Sequence, residues 1–160
     1  MRLVNIIAAS LLFFFCWQTA AAEHTQSKRF HVVDNSIAVD SHTGLMWALQ
    51  DNGKDIDWYD AKKFCTDFSA GGYTDWRLPD IDELATLYTG GESNKDGYFI
   101  AGPFKITDCC MWSSYDNMGG ALAFSFKSGK KPPMYLTDKY QLRALPVRGT
   151  MKMDYASKNL

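Results

Sequence analysis

The chain has 160 residues with 17 Lys+Arg against 18 Asp+Glu, so its formal net charge is −1 at pH 7. A nucleic-acid-binding domain is expected to be basic, and this balance excludes nucleic acid as a predicted partner. The length suits one domain with a single core, and no internal repeat indicates another architecture.

The N-terminal segment has the pattern of an export signal. Arg2 precedes an apolar run over residues 3–17, and Ala20-Ala21-Ala22 supplies the small residues that a signal peptidase recognises. The run is shorter than the ~20 apolar residues that span a bilayer. We therefore expect residues 1–22 to be a removable signal peptide. The mature chain, which has no later apolar span, is then expected to be periplasmic or extracellular.

Short strands are predicted near the start of the mature chain. Residues 23–29 are polar and read as a flexible lead-in. Residues 30–33 and 36–40 flank Asp34-Asn35, a pair that tolerates a tight turn, and this pattern is typical of a β-hairpin. Residues 45–49 form a further apolar strand.

The next loop, residues 50–56, has the acidic look of a calcium loop without its spacing. In Asp51-Asn52-Gly53-Lys54-Asp55-Ile56-Asp57 the glycine stands third, and no Glu follows at the twelfth position. A polar loop that leads into a helix is the favoured interpretation. Cys and His residues show no zinc-site spacing either, so no metal is predicted.

Two helices are predicted in the middle of the chain. Asp57 is placed to cap a helix that runs to about residue 69, and its apolar residues recur at three- and four-residue steps along one face. Asp80 and Glu83 have the spacing of a capping box. They predict a second helix over residues 81–89.

Irregular structure and then strands are predicted after the second helix. Residues 92–108 are rich in Gly and polar residues and favour an irregular segment. The order of strands, two helices and strands predicts an α+β fold with an antiparallel sheet. We expect the domain to span residues 30–149 and residues 150–160 to be a polar tail. The late strands are expected at residues 111–114, 121–126 and 142–148.

Five sequence blocks carry a family resemblance. They are Thr43-Gly44-Leu45-Met46-Trp47; Trp58 with Ala61 and Cys65; Gly72-Tyr73-Thr74-Asp75-Trp76-Arg77-Leu78-Pro79 with Glu83-Leu84; Trp112-Ser113-Ser114; and Pro146-Val147-Arg148-Gly149. In this order they resemble the DUF1566 family, also called the Lcl C-terminal domain. The resemblance implies a C-type-lectin-like fold related to the sulfatase-modifying factors, with two helices packed on short antiparallel strands.

The resemblance also suggests a function. Family members are mostly exported bacterial proteins of unassigned function, and the namesake domain is an adhesive module that binds sulfated glycans. We expect the aromatic and turn residues of the blocks to be structural core rather than sugar platforms. These structural residues are Trp47, Trp58, Trp76, Leu78, Pro79 and Trp112.

The cysteines depart from the family pattern. Many relatives have a cysteine near the end of the last strand that would partner the helix cysteine, whereas residues 144–146 are Ala-Leu-Pro here. We therefore expect Cys65 to bond to Cys109 or Cys110. A Cys109–Cys110 bond is the alternative, although adjacent Cα atoms lie ~3.8 Å apart, below the usual ~4.4–6.8 Å of a disulfide.

Basic residues are the candidate ligand-binding positions. Lys127, Lys130 and Lys131 would attract sulfated or other acidic polymers in a salt-sensitive way, with a solvated loop as the alternative. Arg77 and Arg148 have forked donors suited to a carboxylate or sulfate, or to internal hydrogen bonds.

The favoured function is therefore a non-catalytic binding module for a glycan or a surface protein. No catalytic residue and no cofactor are predicted, and the triplets of calcium-dependent lectins are absent from the sequence. The alternative is an enzyme or thiol-redox protein that uses the Cys109-Cys110 pair.

Overall fold

The computed structural model describes residues 29–117 and 119–152. The expected signal peptide, most of the lead-in and the tail from residue 153 onward lie outside these residues. The elements in chain order are β1 (Phe30–Val32), β2 (Ile37–Asp40), β3 (Met46–Ala48), α1 (Trp58–Asp67), α2 (Ile81–Thr86), β4 (Cys110–Asn117), β5 (Gly120–Ser125), β6 (Pro133–Tyr135), β7 (Leu142–Arg143) and β8 (Val147–Arg148).

The first sheet contains the predicted hairpin. Its strand order is β1-β2-β3-β8, and all neighbours are antiparallel. The turn between β1 and β2 forms because the Asp34 carboxylate accepts hydrogen bonds from the backbone N–H groups of Ser36 and Ile37. The hairpin prediction is confirmed.

Helix α1 begins where the sequence predicts. The side chain of Asp57 accepts a hydrogen bond from the Asp60 N–H, and Trp58, Ala61 and Cys65 form the buried face. The helix ends at Asp67, two residues before the predicted end, because Phe68 has extended backbone.

Helix α2 is short and strongly capped. Asp80 and Glu83 form the predicted capping box, in which each side chain accepts from the backbone of the other residue. The helix ends at Thr86 rather than near residue 89. Thr89 instead donates its N–H to the Phe99 carbonyl, in the irregular segment.

The second sheet corrects the expectation of an antiparallel arrangement throughout. Its order is β6-β5-β4-β7, and β7 pairs with β4 in parallel. The predicted last strand, residues 142–148, is in fact two strands in different sheets. Residues 144–146 connect them because Ala144 exchanges hydrogen bonds with Asn52, while the Pro146 carbonyl accepts from Ala48.

Both sheets and both helices enclose a core with two clusters. The larger cluster includes Trp47, Leu84 and Phe124, and the smaller one includes Trp58 and Trp112. The described part of the chain is thus α+β, with two helices and two sheets of short strands. None of its helices has the length and apolar character needed to cross a membrane.

Candidate functional site

The basic loop, which we define as residues 127–131, connects β5 to β6 and is held by its own backbone. Ser125 donates its N–H to the Lys130 carbonyl and accepts from the N–H groups of Ser128 and Gly129. Gly129 has a φ of 68°, and a Cβ there would lie 2.7 Å from Cε1 of Tyr88. The loop therefore packs against Tyr88 at a position that only glycine fits.

The three lysines of the basic loop have different surroundings. Lys131 Nζ donates to Asp82 Oδ1 at 2.7 Å, and Lys127 Nζ lies 5.6 Å from the centre of the Tyr98 ring. Lys130 is exposed and forms no ion pair with another described residue. All three lysines thus lie on one hydrogen-bonded turn, and the charge of Lys131 is balanced by Asp82.

Arg77 is used inside the fold. Its Nη1 and Nη2 donate to Glu83 Oε2 and Oε1 at 2.7 and 2.6 Å, and Nη2 also donates to the Gly149 carbonyl. The hydrogen bonds and charge of Glu83 raise the pKa of Arg77, despite partial burial. Arg77 therefore links the capping box of α2 to the end of β8.

Arg148 has a similar internal role. Its guanidinium donates to Asp75 Oδ1 and Oδ2 at 2.7 and 3.1 Å and lies 3.7 Å from the centre of the Tyr73 ring. The hydrogen bond from Arg148 lowers the pKa of Asp75. Both predicted arginines thus already have carboxylate partners, which favours the internal interpretation of each.

All four motif tryptophans are buried, as the core interpretation predicts. Trp58 donates its indole N–H to the Ser113 carbonyl, Trp112 to the Ile56 carbonyl and Trp76 to the Tyr73 carbonyl. The buried Nε1 of Trp47 has no partner among the described residues.

The cysteine pairing differs from the favoured prediction. The sulfurs of Cys109 and Cys110 are bonded at 2.02 Å, and Cys65 is a buried free thiol on α1. The expected bond from Cys65 to Cys109 or Cys110 is therefore wrong. Burial raises the pKa of Cys65, so its reactive thiolate form is disfavoured.

Arg143 is a nearly buried arginine that pairs with two acidic residues. The guanidinium of Arg143, which is 8% exposed, pairs with Asp55 and Asp108, and its Nε donates to Thr107 Oγ1. Asp51 accepts from Thr107 in turn. Among residues 29–117 and 119–152, no group of three or more His, Cys, Asp or Glu could hold a metal ion.

A cleft that sequence reasoning missed lies between the β1–β2 turn, the end of β3 and α1. Its volume is about 270 Å³. The residues that line it come from three separate segments between residues 35 and 68, so no local motif signals the cleft in the sequence. The lining residues are Asn35, Ser36, Ala48, Gln50, Asp51, Phe64 and Phe68.

Comparison with known proteins gives one family match. A family model described as the Lcl C-terminal domain matches residues 36–148, which is more than half of the chain. The matched region includes the basic loop, both arginines and the lining residues of the cleft other than Asn35. No curated protein matches the chain.

Proposed function

The chain belongs to the Lcl C-terminal domain family, and from that premise we propose that it is an exported, non-catalytic binding module for acidic glycans at the bacterial cell surface. The observation that carries the proposal is the basic loop. Its lysines stand on a turn whose backbone conformation is fixed by hydrogen bonds within the chain and by a glycine with positive φ.

Rigidity favours binding because the loop has little conformational entropy to lose when a ligand orders it. Ammonium groups attract sulfate and carboxylate groups along a polymer, and the attraction falls as salt screens it. Lys127 and Lys130 are the two members without a carboxylate partner among the described residues. They are the proposed contacts.

The arginines contribute to this function indirectly. Arg77 pairs with Glu83, and Arg148 pairs with Asp75. We therefore propose that the two arginines stabilise the fold around the basic loop and do not contact the ligand. We extend the proposal to the fold class, C-type-lectin-like, which two helices beside two sheets of short strands support. Superposition of an experimental structure on that fold would test the assignment.

Retention on an immobilised sulfated polysaccharide tests the basic loop. We expect Lys127→Glu plus Lys130→Glu to weaken retention roughly tenfold or more, because two attractive charges become repulsive. Retention of the wild-type protein should also fall as salt is added.

The matched control is Lys54→Glu plus Lys95→Glu, which makes the same charge change at two exposed positions outside the basic loop. We expect this control to retain most of the binding. Equal losses of retention in the two double variants would mean that binding depends on the net charge of the protein and not on the basic loop. Retention that does not depend on salt would exclude the electrostatic mechanism.

A thiol-redox function is the second candidate, and the Cys109–Cys110 bond favours it. A dithiol such as dithiothreitol would transfer two electrons and two protons to the bond, giving two thiols and a cyclic oxidised reagent. In a redox protein, Cys110→Ser should abolish thiol-dependent turnover of a disulfide substrate. If Cys110→Ser leaves all measured activity and glycan retention unchanged, the bond is structural.

A further inference from the structure

We infer that the cleft beside α1 binds one uncharged sugar ring of a glycan. This inference rests on the proposed function and names a second contact within it, distinct from the basic loop.

Two aromatic side chains form one wall of the cleft. Phe64 and Phe68 are half-buried, and their ring centres lie 6.4 Å apart at an angle of 45°. Trp76 contacts Phe68 edge-on, with ring centres 4.9 Å apart at 89°, which fixes the position of Phe68. The face of an aromatic ring carries partial negative charge, and the C–H groups of a sugar ring are suited to it.

Two amide side chains stand on the rim. Asn35 and Gln50 are exposed, and neither side chain forms a hydrogen bond with another described residue. An amide offers both a donor and an acceptor, which matches a hydroxyl group that can donate and accept. An aromatic wall with a few polar groups that fix orientation is the common composition of a small-molecule site.

The charge of the cleft selects an uncharged occupant. Among the described residues that line the cleft, Asp51 is the one ionisable residue, and its carboxylate already accepts hydrogen bonds from the Gly53 N–H and from both the N–H and the hydroxyl of Thr107. An anionic group would be repelled by Asp51, and a cation would find a single carboxylate whose oxygens are in use. The cleft therefore favours a neutral polar molecule over an anion or a cation.

The size and rigidity of the cleft favour a single ring. Its volume of about 270 Å³ is slightly below the roughly 300–1,000 Å³ of drug-sized pockets. Ser36, which lines it, is fixed because its N–H and hydroxyl both donate to Asp34, and its carbonyl accepts from the Leu49 N–H. The rim is therefore formed before a ligand arrives.

Titration with neutral monosaccharides, followed by NMR of backbone amides in the purified chain, tests the inference. Glucose, galactose, mannose, fucose and N-acetylglucosamine are the probes. We expect at least one of them to shift resonances of the cleft residues. Asn35→Ala plus Gln50→Ala should weaken that binding about tenfold, because the sugar loses two hydrogen bonds.

Asn117→Ala is the matched control, since it removes an exposed amide that does not line the cleft. It should bind the same sugar as tightly as the wild-type protein does. Shifts confined to other surfaces, equal affinity in the cleft variant, or shifts caused by free phenylalanine but by no sugar would each overturn the inference.

The two proposals fail separately. If polysaccharide retention depends on the basic loop while no neutral sugar binds, the cleft inference is wrong and the proposed function remains. If a sugar binds the cleft while the loop variant retains the acidic polymer unchanged, the cleft inference holds and the loop mechanism of the proposed function is wrong.

Discussion

At the scale of single residues, the buried tryptophans differ in whether the indole N–H has a hydrogen-bond acceptor. Trp112 donates its indole N–H to the Ile56 carbonyl at 2.8 Å, whereas the equally buried Nε1 of Trp47 has no partner among the described residues. A buried polar group without a partner costs free energy, and a hydrogen bond between buried groups stabilises the fold.

Trp112→Phe is therefore expected to cost about 1 kcal/mol more free energy of unfolding than Trp47→Phe. Both substitutions replace a buried indole by a smaller ring and leave a cavity. Only Trp112→Phe also leaves the Ile56 carbonyl without its hydrogen-bond donor. Urea unfolding followed by circular dichroism measures both. A larger loss of unfolding free energy for Trp47→Phe than for Trp112→Phe would contradict this prediction.

At the scale of elements, α2 depends on its cap. The helix has six residues, and isolated helices of such length are not stable in water. Asp80 accepts from the N–H groups of Asp82 and Glu83, and Glu83 accepts from the Asp80 N–H and from Arg77. Local hydrogen bonds and one long-range ion pair together fix the start of this helix.

Asp80→Ala is expected to destabilise the protein by about 1 kcal/mol because two helix N–H groups lose their acceptor. Asp80→Asn keeps an acceptor oxygen and should recover most of the loss. Thermal or urea unfolding of the two variants provides the comparison. Equal destabilisation by Ala and Asn would mean that the charge of Asp80, rather than its capping bonds, stabilises α2.

At the scale of the whole molecule, Arg29 joins the first sheet to α2. It donates to both oxygens of Asp40, at 2.9 and 2.7 Å, and to the Thr86 carbonyl at 2.9 Å. Burial raises the pKa of Asp40, but hydrogen bonds and charge from Arg29, with the His42 N–H and Thr43 hydroxyl, lower it more, so the net pKa is below normal. A lowered folded-state pKa stabilises the fold above the unfolded pKa, and the contribution is lost as pH falls through the folded value.

Asp40→Asn should thus cost about 3 kcal/mol near pH 7, because a buried pair loses one partner. The difference from wild type should begin to shrink below about pH 4, where the carboxyl of the unfolded chain takes up a proton, and should shrink further as pH falls through the lower folded-state pKa. Asp67→Asn, which breaks an exposed Lys63–Asp67 pair on α1, is the control and should change stability little. A deficit for Asp40→Asn that does not vary with pH would exclude the charge as its cause.

The sequence by itself determined the features that depend on neighbours within a few residues. Asp34, Asp57 and Asp80 each bond to backbone N–H groups two or three residues ahead, so the hairpin turn and both helix starts were predictable. Membership of the family and the buried tryptophans followed from motif blocks that remain recognisable without coordinates.

Only the tertiary structure decided the features that depend on distant partners. Ala144 bonds to Asn52 and splits the last predicted strand, and Arg148 pairs with Asp75. Packing also leaves Cys65 buried as a free thiol, without the predicted bond to Cys109 or Cys110. The cleft likewise requires residues 35 and 68 to meet. Local backbone preferences carry no information on which distant side chains the packed core brings together, because packing selects those contacts over the whole chain at once.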